Sequence, residues 1–119
     1  MADPRKILGD VIRATRVAKG YSLRKFAGLA DMSPTYLSQI EQGKVERPPT
    51  AERVSTIAKL LDQDPDEWIA LAGRIPDDVA KIIADQPQAM PALLRAANGL
   101  TTEQLRDLTE QLLKQSGED

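Results

Sequence analysis

Residues 22–43 read SLRKFAGLADMSPTYLSQIEQG, and the two short helices they encode decide the fold. Ser22 is a helix-start residue, and Leu23, Phe26, Ala27 and Ala30 fall at the spacing that turns one side of a helix inward. That helix is expected to end at Leu29 or Ala30, with Asp31 and Met32 as the turn. Ser33-Pro34 then opens another. A serine hydroxyl can accept from the free amides of a first turn, and a proline fits where no amide partner is needed. This second helix is expected to run to about Gln42 and to stop at Gly43. It pairs an apolar inner face with small polar residues outside, and Arg16, Arg24, Lys25, Lys44 and Arg47 flank the unit. A helix that is to lie in the major groove of DNA needs that combination.

Outward from this pair the chain reads as helix throughout. A leading helix starts at Asp3-Pro4 and ends at Gly20, with Ile7, Leu8, Val11, Ile12 and Ala18 expected on one broad face. Lys44 to Pro49 is a loop, because the Pro48-Pro49 pair cannot continue a helix. Thr50 caps a helix over 51–61, in which Val54, Ile57, Ala58 and Leu61 share a side. Asp64-Pro65 opens a shorter one over 66–72, with Trp68 as its core anchor. Pro76 marks a boundary, giving an expected domain over 1–75 and a helical region over 76–119. In that region Pro87 and Pro91 are expected to bracket an interruption between a helix over 77–84 and one over 92–97. A last helix, 103–115, carries Leu105, Leu108, Leu112 and Leu113 as a stripe.

Composition narrows the function. The 119 residues are 41% apolar but only 3% aromatic, so the core is expected to be aliphatic and the fold all-α. Cysteine and histidine are absent, which excludes disulfides, Cys/His zinc sites and imidazole-based triads. No enzyme, cofactor or metal is expected. Asp62, Asp64 and Asp66 alternate like calcium ligands, but Glu67 and Gly73 stand where such a loop needs glycine and glutamate. The net charge of −2 divides unevenly: residues 1–47 hold nine Lys/Arg against five Asp/Glu, and residues 48–119 hold seven against thirteen. The basic part coincides with the helix pair. With no apolar run near the roughly 18 residues of a membrane span and no signal-peptide pattern in MADPRKILGD, a cytoplasmic protein is expected.

Four separated stretches, RATRVAKGYS, FAGLADMS, YLSQIEQGK and RPPTAERVSTIAKLLDQDPDEWIALAG, together resemble the Cro/cI-type helix-turn-helix of phage repressors and XRE-type regulators. The resemblance covers roughly Ile7 to Gly73. It implies a five-helix lambda-repressor-like DNA-binding bundle with a helical C-terminal extension. It also implies that Pro34, Thr35, Tyr36, Ser38 and Gln39 are the exposed base-reading candidates. Gln39 matches a position where the family often places a base-contacting polar residue, and glutamine can bond adenine N6 and N7 together. Pro34 departs from the family, since several relatives have a polar reader there. Leu23 likewise replaces a polar residue. The family further implies that Arg16 pairs with Glu41. Free amides near Ser22 to Arg24 form a phosphate clamp, to which Arg24, Lys44 and Arg47 add charge, with Lys25 and Arg13 beside them.

The leucine stripe either folds back on the bundle or forms a two-fold interface. The second matches a homodimer on a palindromic operator in double-stranded DNA. The tail from Ile75 onward also resembles regulators paired with zinc metalloproteases that cleave them. Three functions follow: a repressor, an antitoxin that binds a toxin and autoregulates its operon, or an adaptor that has lost DNA binding.

Overall fold

In the computed structural model the described residues are 3–117. The outermost positions of the two expected domains, 1–2 and 118–119, lie outside them. Among the described residues the secondary structure is eight α-helices and no strand. The chain divides into two compact units, one ending at Ala80 and the other beginning at Lys81. The division falls a few residues beyond Pro76, inside a helix.

The first unit holds α1 (Pro4–Ala18), α2 (Leu23–Leu29), α3 (Pro34–Gln42), α4 (Ala51–Leu60) and α5 (Pro65–Leu71). Each start is fixed by a side chain that accepts from a first-turn amide: Asp3, Ser22, Ser33, Thr50 and Asp64. α1 packs on α3 and α5, α2 on α3, and α4 on α5. The core is aliphatic apart from Phe26 and Trp68. Its fully buried members include Leu8, Ile12, Phe26, Leu37, Ile40, Val54, Ile57 and Leu61. Each is worth about 1.5–3 kcal/mol of burial. Because Leu37 and Ile40 both belong to α3, that helix is seated from beneath over most of its length.

The buried side of α1 differs from the expected apolar face. Leu8, Gly9, Ile12 and Arg16 are buried, while Ile7 and Ala18 are exposed. The stripe follows the four-residue step 8, 12, 16, and its last place is taken by a charged side chain. Gly9 lies where α1 crosses α3. A Cβ there would sit 2.3 Å from the Ile40 carbonyl oxygen and 2.6 Å from that of Glu41. Gly43, which ends α3 at φ +69°, combines a left-handed backbone with a close approach, since a Cβ would stand 3.0 Å from Lys6 Cα. Nothing in the spacing of apolar residues announces either approach.

The second unit contains the end of α6 (Asp77–Asp85), together with α7 (Ala89–Ala97) and α8 (Thr102–Gln115). Pro91 does not interrupt the chain as expected. It sits in the first turn of α7, where the missing amide has no intrahelical partner to lose, and the break between α6 and α7 falls at Gln86 to Gln88. α8 opens with a capping box, in which Gln104 N donates to Thr101 Oγ1 at 3.1 Å and Thr101 N donates to Gln104 Oε1 at 2.9 Å. No described residue of this unit is buried. No helix among the described residues is long and apolar enough to cross a membrane.

The α1–α3 crossing is open to a direct test. Gly9→Ala drives a methyl into two backbone carbonyls and is expected to destabilise by about 2–4 kcal/mol. Gly28→Ala, with nothing within 4 Å of the added Cβ, should be neutral or stabilising by up to about 1 kcal/mol. Urea unfolding of the two variants reads the difference.

Candidate nucleic-acid interface

The α2–α3 pair is held in register at both ends of its turn. At the end of α2, Asp31 takes a left-handed conformation (φ 55°), and Met32 N donates to the Ala27 carbonyl at 2.9 Å. Two residues later Ser33 Oγ accepts from Tyr36 N at 3.0 Å, with Pro34 at the first helical position. α3 then turns Leu37, Ile40 and Glu41 inward and leaves Pro34, Thr35 and Gln39 exposed.

Beneath α3 lies a buried ion pair. Arg16 Nε donates to Glu41 Oε2 at 2.7 Å, and Arg16 Nη2 donates to Glu41 Oε1 at 3.0 Å. The fork is completed by Nη1, which donates to the Tyr21 carbonyl at 2.8 Å. The two side chains are 9% and 5% exposed. The hydrogen bonds it donates to Glu41 hold the Arg16 guanidinium above its ordinary pKa against the opposing effect of burial. One guanidinium thereby fastens the end of α1 and the chain entering α2 to the inner face of α3. No described buried side-chain polar atom lacks a partner.

The outer face is unequal. Gln39 and Thr35 make no side-chain hydrogen bond among the described residues, so their polar atoms remain available for a base edge. Ser38 is half-buried, and its Oγ accepts from Gln42 Nε2 at 2.9 Å. Tyr36 is half-buried as well. The Arg53 guanidinium, from the first turn of α4, stands 5.3 Å from its ring centroid. Arg13, Leu23, Ser38 and Gln42 line one surface recess of about 420 Å³.

Among the cations, Arg24, Lys44 and Arg47 are exposed and pair with no carboxylate among the described residues. Ser22 Oγ accepts from Lys25 N at 3.1 Å, which leaves its hydroxyl hydrogen free to donate. Lys25 Nζ lies 6.0 Å from the Tyr21 ring centroid. The loop bearing Lys44 and Arg47 is held by arginines that sequence reading passed over. Arg5 Nη1 donates to the Val45 and Glu46 carbonyls at 2.9 and 3.2 Å. Arg74 donates through Nη2 and Nε to those of Pro48 and Pro49, each at 2.7 Å. The Pro48-Pro49 pair was a readable sign that carbonyls here would seek outside donors. Which arginine would supply them was not readable. Leu105, Leu112 and Leu113 are exposed and Leu108 is half-buried, all within the second unit.

A capped helix pair closed by a left-handed residue, with the second helix braced from below and polar outside, is a helix-turn-helix. Residues 12–68 match the helix-turn-helix family model HTH_3, and this segment of the chain is an XRE-type helix-turn-helix domain on a lambda-repressor-like bundle. The chain is 40% identical over 57 residues to the transcriptional regulator ClgR of Mycobacterium tuberculosis, a match covering 48% of this chain and 49% of that protein. It thus spans about half the length of the curated relatives it matches. The crystal structure of the clp gene regulator ClgR from Corynebacterium glutamicum is similar at 29% identity and a TM-score of 0.53, covering 61% of this chain and 92% of that one. A second crystal structure of that regulator covers 79% of this chain and 89% of the other, at a TM-score of 0.51. These relatives are regulators of transcription, not enzymes.

The brace makes a quantitative prediction. Glu41→Ala leaves a guanidinium buried without its carboxylate and should cost about 3–5 kcal/mol in urea unfolding. The double variant Arg16→Met/Glu41→Leu, which removes both charges, should be more stable than Glu41→Ala alone.

Proposed function

We propose that this protein is a transcriptional repressor that binds a palindromic operator as a homodimer, with α3 in the major groove. The observation that carries the reading is the outer face of α3. Thr35 and Gln39 stand exposed with uncommitted polar atoms on a helix whose other side is fully buried. Gln39 addresses adenine through its amide, and Thr35 a base edge or a thymine methyl. Pro34 offers only apolar contact. Ser38 and Tyr36, each engaged within the protein, contribute less. Ser22, Arg24, Lys44 and Arg47 hold the DNA backbone. The names of the relatives support regulation of transcription. They say nothing of its sign.

The dimer is supported by the second unit. A helical segment of under about 40 residues rarely folds without a partner. This one exposes Ile82, Leu93, Leu94, Leu105, Leu112 and Leu113. A second copy, related by a two-fold axis, supplies the missing apolar surface through Leu105, Leu108, Leu112 and Leu113 and spaces two α3 helices for two half-sites.

Selection of bound duplexes from a random DNA pool tests the whole reading. A two-fold symmetric site with half-sites about one helical turn apart is expected, and recovery of no preferred sequence would sink it. Gln39→Ala should lower affinity of the dimer for the selected site about 30-fold or more, the equivalent of one base contact in each half-site, and relax preference at one position per half-site. Arg47→Ala should weaken all sequences alike and reduce the salt slope by about 1.8, one phosphate contact in each half-site. Leu105→Asp/Leu112→Asp should yield a monomer in sedimentation while the first unit keeps its helical fold.

A further inference from the structure

The loop from Lys44 to Pro49 is the longest irregular segment of the proposed interface, and an arginine holds it at each end. Four of its carbonyls, those of Val45, Glu46, Pro48 and Pro49, accept from Arg5 or Arg74. Neither clamp is local. Arg5 reaches across 40 and 41 positions of sequence, and Arg74 across 25 and 26. Arg5 is itself aimed by Asp3, whose carboxylate accepts from Nη2 at 2.9 Å and from Nε at 3.2 Å. Pro48 and Pro49 have no amide with which to anchor the loop through donation. Val45 is buried between the two clamps, while Lys44 and Arg47 on either side of it are exposed. With four of its six carbonyls and Val45 tied to the protein, the loop leaves the side chains of Lys44, Glu46 and Arg47 exposed.

We infer that Arg5 and Arg74 are positioning residues for DNA binding: they fix the loop backbone so that Lys44 and Arg47 are presented to phosphate in one geometry. The inference rests on the DNA-binding reading above. The physical reason is entropic. A phosphate contact made from a slack loop must order several backbone residues on binding, at about 1–2 kcal/mol each, whereas a loop already held contributes its charge without that loss. A guanidinium suits this task because its planar fork meets two consecutive carbonyls at once, which a lysine ammonium on a flexible stem does not.

The test uses the full chain and the duplex recovered by selection, with affinity measured across a salt series. Arg74→Ala should weaken binding about 5- to 10-fold and reduce the salt slope by roughly one unit per half-site, as though a phosphate contact had been lost in each. In a Lys44→Ala/Arg47→Ala background the same change should add less than about twofold, because the residues it positions are gone. Arg74→Lys should recover only part of the affinity. Arg5→Ala should behave like Arg74→Ala. Should Arg74→Ala fail to fold, Arg74→Gln, which keeps a single donor, takes its place. Unchanged affinity and slope would overturn the inference. A loss that persists in full in the doubly substituted background would also overturn it, since that marks a direct phosphate contact. Hydrogen exchange in the free protein gives a readout without DNA. The Lys44 and Arg53 amides, which flank the loop and donate to the Gln39 carbonyl and to Thr50 Oγ1, should exchange at least about threefold faster in Arg74→Ala while core amides of α3 keep their protection, and uniform acceleration would count against positioning. If the wild-type protein binds no duplex, the DNA-binding reading fails, whereas loop exchange still reports whether the clamp orders the loop.

Discussion

A guanidinium and a carboxylate are expensive to take out of water, and Arg16 and Glu41 occupy the interior of this bundle only because each bond between them is made. The placement of α3 depends on that pair. Glu41 is on α3, Arg16 is near the end of α1, and the third arm of the fork holds the Tyr21 carbonyl ahead of α2. An apolar contact at the same place would have stabilised the bundle while permitting α3 to slide or roll. Two parallel N–H···O bonds fix distance and rotation together. Gly9 complements them by letting the α1 backbone approach the carbonyls of α3. The helix that presents Thr35 and Gln39 is thus positioned from its inner face, by a directional interaction at Glu41 and by the close-packed Leu37 and Ile40 beside it.

The same economy appears in the loop after α3. Prolines keep this segment from continuing as helix and leave carbonyls without a backbone partner, and arginines distant in sequence take them. Arg53 acts on the other flank, where its guanidinium lies against the Tyr36 ring. In each case a cation contributes by holding another group.

Much of this was legible in the sequence, and the rest has a common cause. Local chemistry reads well. The caps at Asp3, Ser22, Ser33, Thr50 and Asp64, the stops at Gly20 and Gly43, and Trp68 as an anchor all follow from residue type and spacing, because the physics involved spans a few residues. Pro91 misled because proline breaks a helix only past its first turn, and where that turn begins is a matter of one or two residues. The face of α1 was misread because an apolar stripe was assumed to consist of apolar residues, whereas Arg16 fills one of its places. Arg5, Arg74 and Gly9 escaped entirely. Their partners lie 25 to 41 positions away or are backbone atoms of another helix, and single-sequence periodicity carries no record of either.

The second unit stands apart from this logic, since α8 is well capped and its helices carry apolar stripes, yet none of its described residues is buried. A segment of that kind takes its folded population from the concentration of whatever it meets. In the proposed dimer, association and the ordering of these helices become one equilibrium, governed by how much protein is present. Occupancy of a two-fold site would then climb more steeply than in proportion to protein level at low abundance. The cell could set the response threshold through synthesis and turnover, with no small-molecule effector required.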